Sequence, residues 1–169
     1  MILAVHTDAS YLFEAGGKSR AVGHFYLTNQ SNKNFNNKAV LTLSAIIKHV
    51  MSSASEAELS ALYYGCKMAA PLHTTVKELG HNQANPTPIN TDNITAKGFS
   101  IGTMTAKASK SMDQPFHWLK CHDAQCQFKY LWQKGILNQA NYASKHHAPK
   151  HHKRVQPFYV FDCDAPSAQ

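Results

Sequence analysis

The sequence contains no run of about 18 apolar residues, the length a helix needs to cross a bilayer, so a membrane-spanning helix is excluded. Acidic residues are scarce: ten Asp and Glu stand against seventeen Lys and Arg, a formal net charge of +7 over 169 residues. A surface with that imbalance favours polyanions, nucleic acid above all, through release of condensed counterions. The four cysteines, Cys66, Cys121, Cys126 and Cys163, form no Cys-x-x-Cys pair, which argues against a zinc ribbon or a thioredoxin-like redox motif. They read as reduced thiols of an intracellular protein. The opening Met1-Ile2-Leu3-Ala4-Val5 is too short for a secretory signal before it meets His6 and Asp8. Hydrophobic residues at 43% are enough for one core, and a chain of this length buries about 70% of its unfolded surface without needing a covalent staple. No internal repeat is visible.

Residue patterning divides the chain into strands first and helices later. Ile2–Thr7 is a short apolar run ending in Thr-Asp, a buried strand. Glu14–Lys18 reads as a turn, Ala21–Leu27 as a second strand, Asn29–Asn37 as a polar hairpin loop and Ala39–Ile47 as a third strand. Ser55 followed by Glu58 fits a capping box, and Leu59, Leu62, Tyr63, Cys66 and Ala69 then recur at helical spacing. Pro71 is expected to kink or break this helix, with a second stretch running on to Leu79. A fourth strand is expected over 86–92, a short helix over Asn93–Ile101, a helix over Phe116–Gln125, a fifth strand over Phe128–Trp132 and a last short helix over Asn138–Lys145. The remainder, with His146-His147 and His151-His152 among Lys150, Lys153 and Arg154, reads as an exposed basic tail. The order implies a mixed α/β layer with helical crossovers between the later strands.

Three acids stand where backbone geometry can gather them. Asp8 ends the first strand, Glu58 lies at the start of the first helix and Asp92 ends the fourth strand. Each alone has an ordinary reading: Asp after a strand forms turns, and Glu58 completes the capping box. Strand ends and helix starts nevertheless project to one face of an open α/β sheet, and carboxylates clustered there repel one another unless a hard cation such as Mg²⁺ or Mn²⁺ lies between them.

The strings His6-Thr7-Asp8-Ala9-Ser10, Ser53-Ala54-Ser55-Glu56-Ala57-Glu58-Leu59 and Ile89-Asn90-Thr91-Asp92-Asn93 resemble the ribonuclease H region of copia-type retroelement polyproteins, as does Lys110-Ser111-Met112-Asp113-Gln114-Pro115-Phe116-His117. The resemblance spans about residues 4 to 155. It implies a ribonuclease H-like three-layer α/β fold with a five-stranded mixed sheet flanked by helices, over residues 1–146, followed by a basic His-rich tail over 147–169. It implies endonucleolytic hydrolysis of the RNA strand of RNA/DNA hybrids by a two-metal mechanism, leaving 5′-phosphate and 3′-hydroxyl ends. Asp8, Glu58 and Asp92 correspond to ligands of two Mg²⁺ or Mn²⁺ ions. Asn141 occupies the place of the family's fourth acidic ligand, where an amide oxygen brings no charge. Three accounts fit it: an inactivating substitution, a decayed element, or an enzyme tolerant of Asn.

The same resemblance implies an RNA/DNA hybrid and a polymerase domain of the same polyprotein as partners, a monomer as an isolated domain, and residence in a cytoplasmic particle or the nucleus. Met1 directly before a strand and the loose end Ala165–Gln169 are what a piece of a longer polyprotein would show. Ser10, Ser53, Ser55 and Asn93 are candidates for contact with a minor groove, where 2′-hydroxyls mark RNA, and Lys107, Lys110, Lys134 and Lys145 for phosphates. No His lies between 123 and 145, so His146 or His147 would have to stand in for the family's loop histidine. Cys121, His122 and Cys126 have the wrong spacing for a zinc finger, and Phe116, Trp118, Phe128, Tyr130 and Trp132 read as core. The alternative function is a catalytically silent hybrid-binding module that supports a polymerase.

Overall fold

Two hairpins at the front of the chain build the sheet to which everything later is added. The structure, a computed structural model, describes residues 1–29, 36–94, 98 and 110–160. Strands β1 (Ile2–Glu14), β2 (Lys18–Thr28) and β3 (Asn36–Ile46) pair antiparallel, each running longer than its apolar stretch alone indicates. Helix α1 (Ala54–Glu78) crosses over to β4 (Thr87–Thr91), which pairs parallel with β1, and α2 (Lys110–Ala124) crosses to β5 (Phe128–Trp132), parallel to β4. The five-stranded order is β3-β2-β1-β4-β5. A single 3-10 turn (Gly135–Leu137), a one-turn helix α3 (Asn141–Ser144) and helix α4 (Pro149–Tyr159) finish the described chain. Among the described residues no helix is long and apolar enough to cross a membrane.

Neighbouring residues of β1 show the layering, because successive side chains on a strand point to opposite faces. Thr7 points at α1: a Cβ added to Gly65 would sit 2.5 Å from Thr7 Cγ2, so only glycine lets helix and strand approach this closely. Asp8 points the other way and meets Ser144 of α3. Helices α1 and α2 therefore cover one face and α3 with α4 the other. The main core lies on the α1 face, where Leu3, Val5, Phe25, Leu62, Cys66, Ile89, Phe116, Leu119, Phe128 and Tyr130 pack together.

Several local expectations are corrected. The capping box is Ser53 with Glu56, not Ser55 with Glu58: Ser53 Oγ accepts from the Glu56 N–H at 3.2 Å, and Glu56 Oε2 accepts from the Ser52 N–H at 2.9 Å. Glu58 thereby sits in the second turn, free of capping duty. Pro71 does not break α1, because it lies on the exposed face while Ala69 and Val76 carry the buried stripe past it. Only the Lys67 carbonyl loses its usual donor, and it does so beside water. The last helix, expected over Asn138–Lys145, is confined to Asn141–Ser144, with Asn138 in the bend between the 3-10 turn and α3. Nor is the segment after His146 an open polycation. Its residues 149–159 are helical, with Tyr159 donating to the Gln139 carbonyl and the Lys38 ammonium donating to the Pro157 carbonyl. Most of the expected helix over Asn93–Ile101, and residues 30–35 of the expected hairpin loop, lie outside the described residues.

Candidate metal centre

The three acids converge because β4 ends where β1 does not. Thr7 and Thr91 form the last pair of the parallel ladder, so Asp8 and Asp92 stand one residue beyond it, where the two backbones part. Glu58 reaches this notch from α1, and its Oε1 accepts the Ala9 N–H at 3.3 Å. One carboxylate oxygen from each of Asp8, Glu58 and Asp92 lies within 4.8 Å of the others, the one such acidic, His or Cys group of three or more among the described residues. Gly135 closes the notch from the far side: a Cβ there would meet Asp92 Oδ2 at 2.7 Å. The Trp132 indole N–H donates to the Asp92 carbonyl at 2.9 Å and fixes the turn.

Burial and mutual repulsion govern the electrostatics. Asp8 is 1% exposed, and its carboxyl is pushed up to about 6, chiefly by burial and further by Asp92, against the opposing pull of the Ser144 hydroxyl and the Lys145 ammonium. Glu58 is pushed up to about 8, again by burial first and then by the charges of Asp8 and Asp92. Its second oxygen, Oε2, is buried with no hydrogen-bond partner. Carboxylate oxygens gathered within 4.8 Å, one of them buried without a partner, suit a hard divalent cation such as Mg²⁺. The donor set fits such an ion at Asp8, Glu58 and Asp92.

The fourth position is different. Asn141 begins α3; its Nδ2 donates to the Gly135 carbonyl at 3.3 Å, and its Oδ1 accepts from Lys145 Nζ. Lys145 Nζ also lies 3.8 Å from Asp8 Oδ2. Three supporting residues have no motif to announce them: Ser144, which donates to Asp8 Oδ2; Asn138, whose Nδ2 donates to the Thr7 carbonyl at 2.8 Å; and Gly135. The helical position of Ser144, three residues after Asn141, was the one available clue.

The candidate nucleic-acid contacts divide. Ser10 is buried, 5% exposed, and so is not presented to a groove. Ser53 is engaged as the helix cap, Ser55 and Lys134 are exposed, Asn93 is half-buried and Lys145 turns inward to Asp8. Lys107 lies outside the described residues, as does the side chain of Lys110. His146 packs by Phe13, ring centroids 5.3 Å apart, and His147 stacks between Tyr142 and His151, so neither joins the acidic group. Cys121 and Cys126 are exposed and belong to no group of three or more metal ligands among the described residues, while Trp132 belongs to the rim rather than the core, at 46% exposed.

Comparison with known proteins bears on the fold. No protein-family model and no curated protein matches the sequence. Among solved structures, the N-terminal RNase H domain of rv2228c from Mycobacterium tuberculosis is 13% identical with a TM-score of 0.57, over 83% of this chain and 92% of that one. LC11-RNase H1, determined with an RNA/DNA hybrid, is 11% identical with a TM-score of 0.56, over 81% and 88%. The foamy virus (PFV) RNase H domain is 15% identical with a TM-score of 0.54, over 84% and 88%. The prototype foamy virus protease–reverse transcriptase matches over 95% of this chain but only 21% of its own. With the five-stranded mixed sheet and its flanking helices, this chain has the ribonuclease H fold.

Proposed function

We propose that this protein hydrolyses the RNA strand of RNA/DNA hybrids with Mg²⁺ or Mn²⁺, as the ribonuclease H domain of a copia-type retroelement reverse transcriptase. The observation that carries the reading is the notch of Asp8, Glu58 and Asp92 one residue past the end of the parallel ladder, in a protein of net positive charge. Bound divalent cations would supply charge neutralisation at the scissile phosphate and an activated water for in-line attack. The chain's own part is to hold Glu58 through the Ala9 N–H, Asp8 through the Ser144 hydroxyl and the Asp92 backbone through the Trp132 indole, and to offer exposed Ser55 and Lys134. In the reacting state Asp8, Glu58 and Asp92 would hold two ions, with the Asn141 amide oxygen as the fourth, uncharged ligand. The hybrid in the LC11 structure and the polymerase partner in the foamy virus protein support a hybrid substrate and a polymerase neighbour. A cytoplasmic particle or the nucleus is the setting this implies.

Asn141 favours a second reading, a silent hybrid-binding module, because the amide brings no charge and is already bonded to Lys145. A labelled hybrid, with duplex RNA and duplex DNA as controls, separates the two. The nuclease reading expects hybrid cleavage by the wild type, leaving 5′-phosphate ends, and faster cleavage by Asn141→Asp. Hybrid binding without cleavage in the wild type, with cleavage appearing only in Asn141→Asp, would favour the silent module.

A further inference from the structure

Lys145 is expected from the sequence to reach a phosphate, yet it turns into the acidic notch. Its Nζ lies 3.8 Å from Asp8 Oδ2 and donates to Asn141 Oδ1. The spacing explains the second contact, since residues four apart share a helix face and Lys145 caps α3 one turn after Asn141. The first contact is to a carboxylate that is only 1% exposed, held in place by the Ser144 hydroxyl on the same oxygen. An ammonium there is a cation already on the spot.

Charge counting then limits what else the notch can hold. Asp8, Glu58 and Asp92 bring three negative charges when ionised, and the amide at Asn141 adds none. One divalent ion and one ammonium balance them. Two divalent ions beside the ammonium would leave an excess of two positive charges in a half-buried space, where repulsion at a few ångströms is strong. Lys145 itself is 47% exposed, so its flexible stem has room to swing out.

We propose that Lys145 is a built-in cation occupying the position between Asp8 and Asn141, so that the resting protein holds one divalent ion and a second enters only by displacing the ammonium. The inference rests on the metal-centre reading above and specifies how that centre is loaded and regulated. Displacement also delivers the freed ammonium to the rim of the notch, where a substrate phosphate would attract it.

Manganese binding to the full chain without nucleic acid, counted by the paramagnetic resonance of free Mn²⁺, tests this without reference to turnover. Wild type is expected to bind one ion. Lys145→Met, which keeps the stem and removes the charge, is expected to bind two, the first at least about tenfold tighter because repulsion by the ammonium is gone. Lys145→Arg keeps a charge and should bind one, as should Lys150→Met at the exposed start of α4, with thermal melts verifying that each variant is folded. Two ions on the wild type, or one ion bound with unchanged affinity by Lys145→Met, would overturn the proposal. No ion on the wild type, or binding undiminished by Asp8→Asn, would instead remove the metal centre itself and the proposal with it.

Discussion

At the scale of single residues, the three carboxylates of the notch repel one another. Glu58 has a folded pKa raised to about 8 by burial and its acidic neighbours. A carboxyl raised in this way stabilises the fold below its unfolded value and withdraws that contribution as pH rises through the folded one. The protein in chelator is therefore expected to lose stability between about pH 5 and pH 8. Glu58→Gln should lose less by at least about 1 kcal/mol, since a tenfold change in proton affinity corresponds to about 1.4 kcal/mol. Thermal melts at several pH values with and without Mn²⁺ check this; a wild-type loss unaffected by Glu58→Gln would contradict it. Position 58 also shows how far residues speak for themselves. Ser53-x-x-Glu56 and Ser55-x-x-Glu58 are overlapping capping frames of equal local quality. The choice between them falls to a tertiary contact, the Ala9 N–H, that no local pattern contains. The acids themselves were readable because strand ends and helix starts are where such groups gather, whereas Ser144 and Lys145 draw their roles from the bend at Asn138.

At the scale of elements, the α1–β1 seam holds the notch together. Thr7 and Gly65 meet one residue before Asp8, so any side chain at 65 pushes helix and strand apart next to the site. Gly65→Val is expected to cost about 1–3 kcal/mol by overpacking, read as a lower urea midpoint with unchanged slope. No change in midpoint would mean that the seam is slack. On the opposite face, α4 covers a buried pair of imidazoles. His24 is 1% exposed, 5.2 Å from the Tyr159 ring, and burial lowers its pKa to about 4; His6 beside it is lowered to about 3, by burial and by His24. Both stay neutral in the fold while the unfolded chain takes up protons, so stability is lost as pH falls from about 6.5 towards 4. His24→Phe should flatten that loss by about 1.4 kcal/mol per pH unit, the contribution of one proton. Equal acid sensitivity in the variant would place the titration elsewhere. The helical character of 149–159 was hidden in the sequence by Pro149, Pro157 and a run of His and Lys with no apolar stripe. What fixes it is the far end, Tyr159 on Gln139 and His24, which composition cannot express.

At the scale of the whole molecule, fold and charge point the same way. Two antiparallel hairpins followed by two parallel crossovers place the end of β4 in mid-sheet, and that topology, present in ribonuclease H domains as little as 11% identical, opens the notch. Topology of this kind was accessible from the order of strand and helix signals, since Gly, Pro and Asn punctuation marks the breaks. Strand lengths were not, because β1 and β3 extend through half-polar stretches on pairing alone. On the proposed function, the net charge of +7 predicts hybrid binding that weakens steeply as salt rises and counterions compete. The most direct measurement is digestion of an end-labelled RNA/DNA hybrid in Mg²⁺ or Mn²⁺ by the wild type and by Asp8→Asn. The account predicts RNA-strand cleavage by the wild type that chelator abolishes and a loss of at least about a hundredfold in Asp8→Asn, the scale of removing one charge-stabilising group. Cleavage that survives both chelator and Asp8→Asn would contradict it.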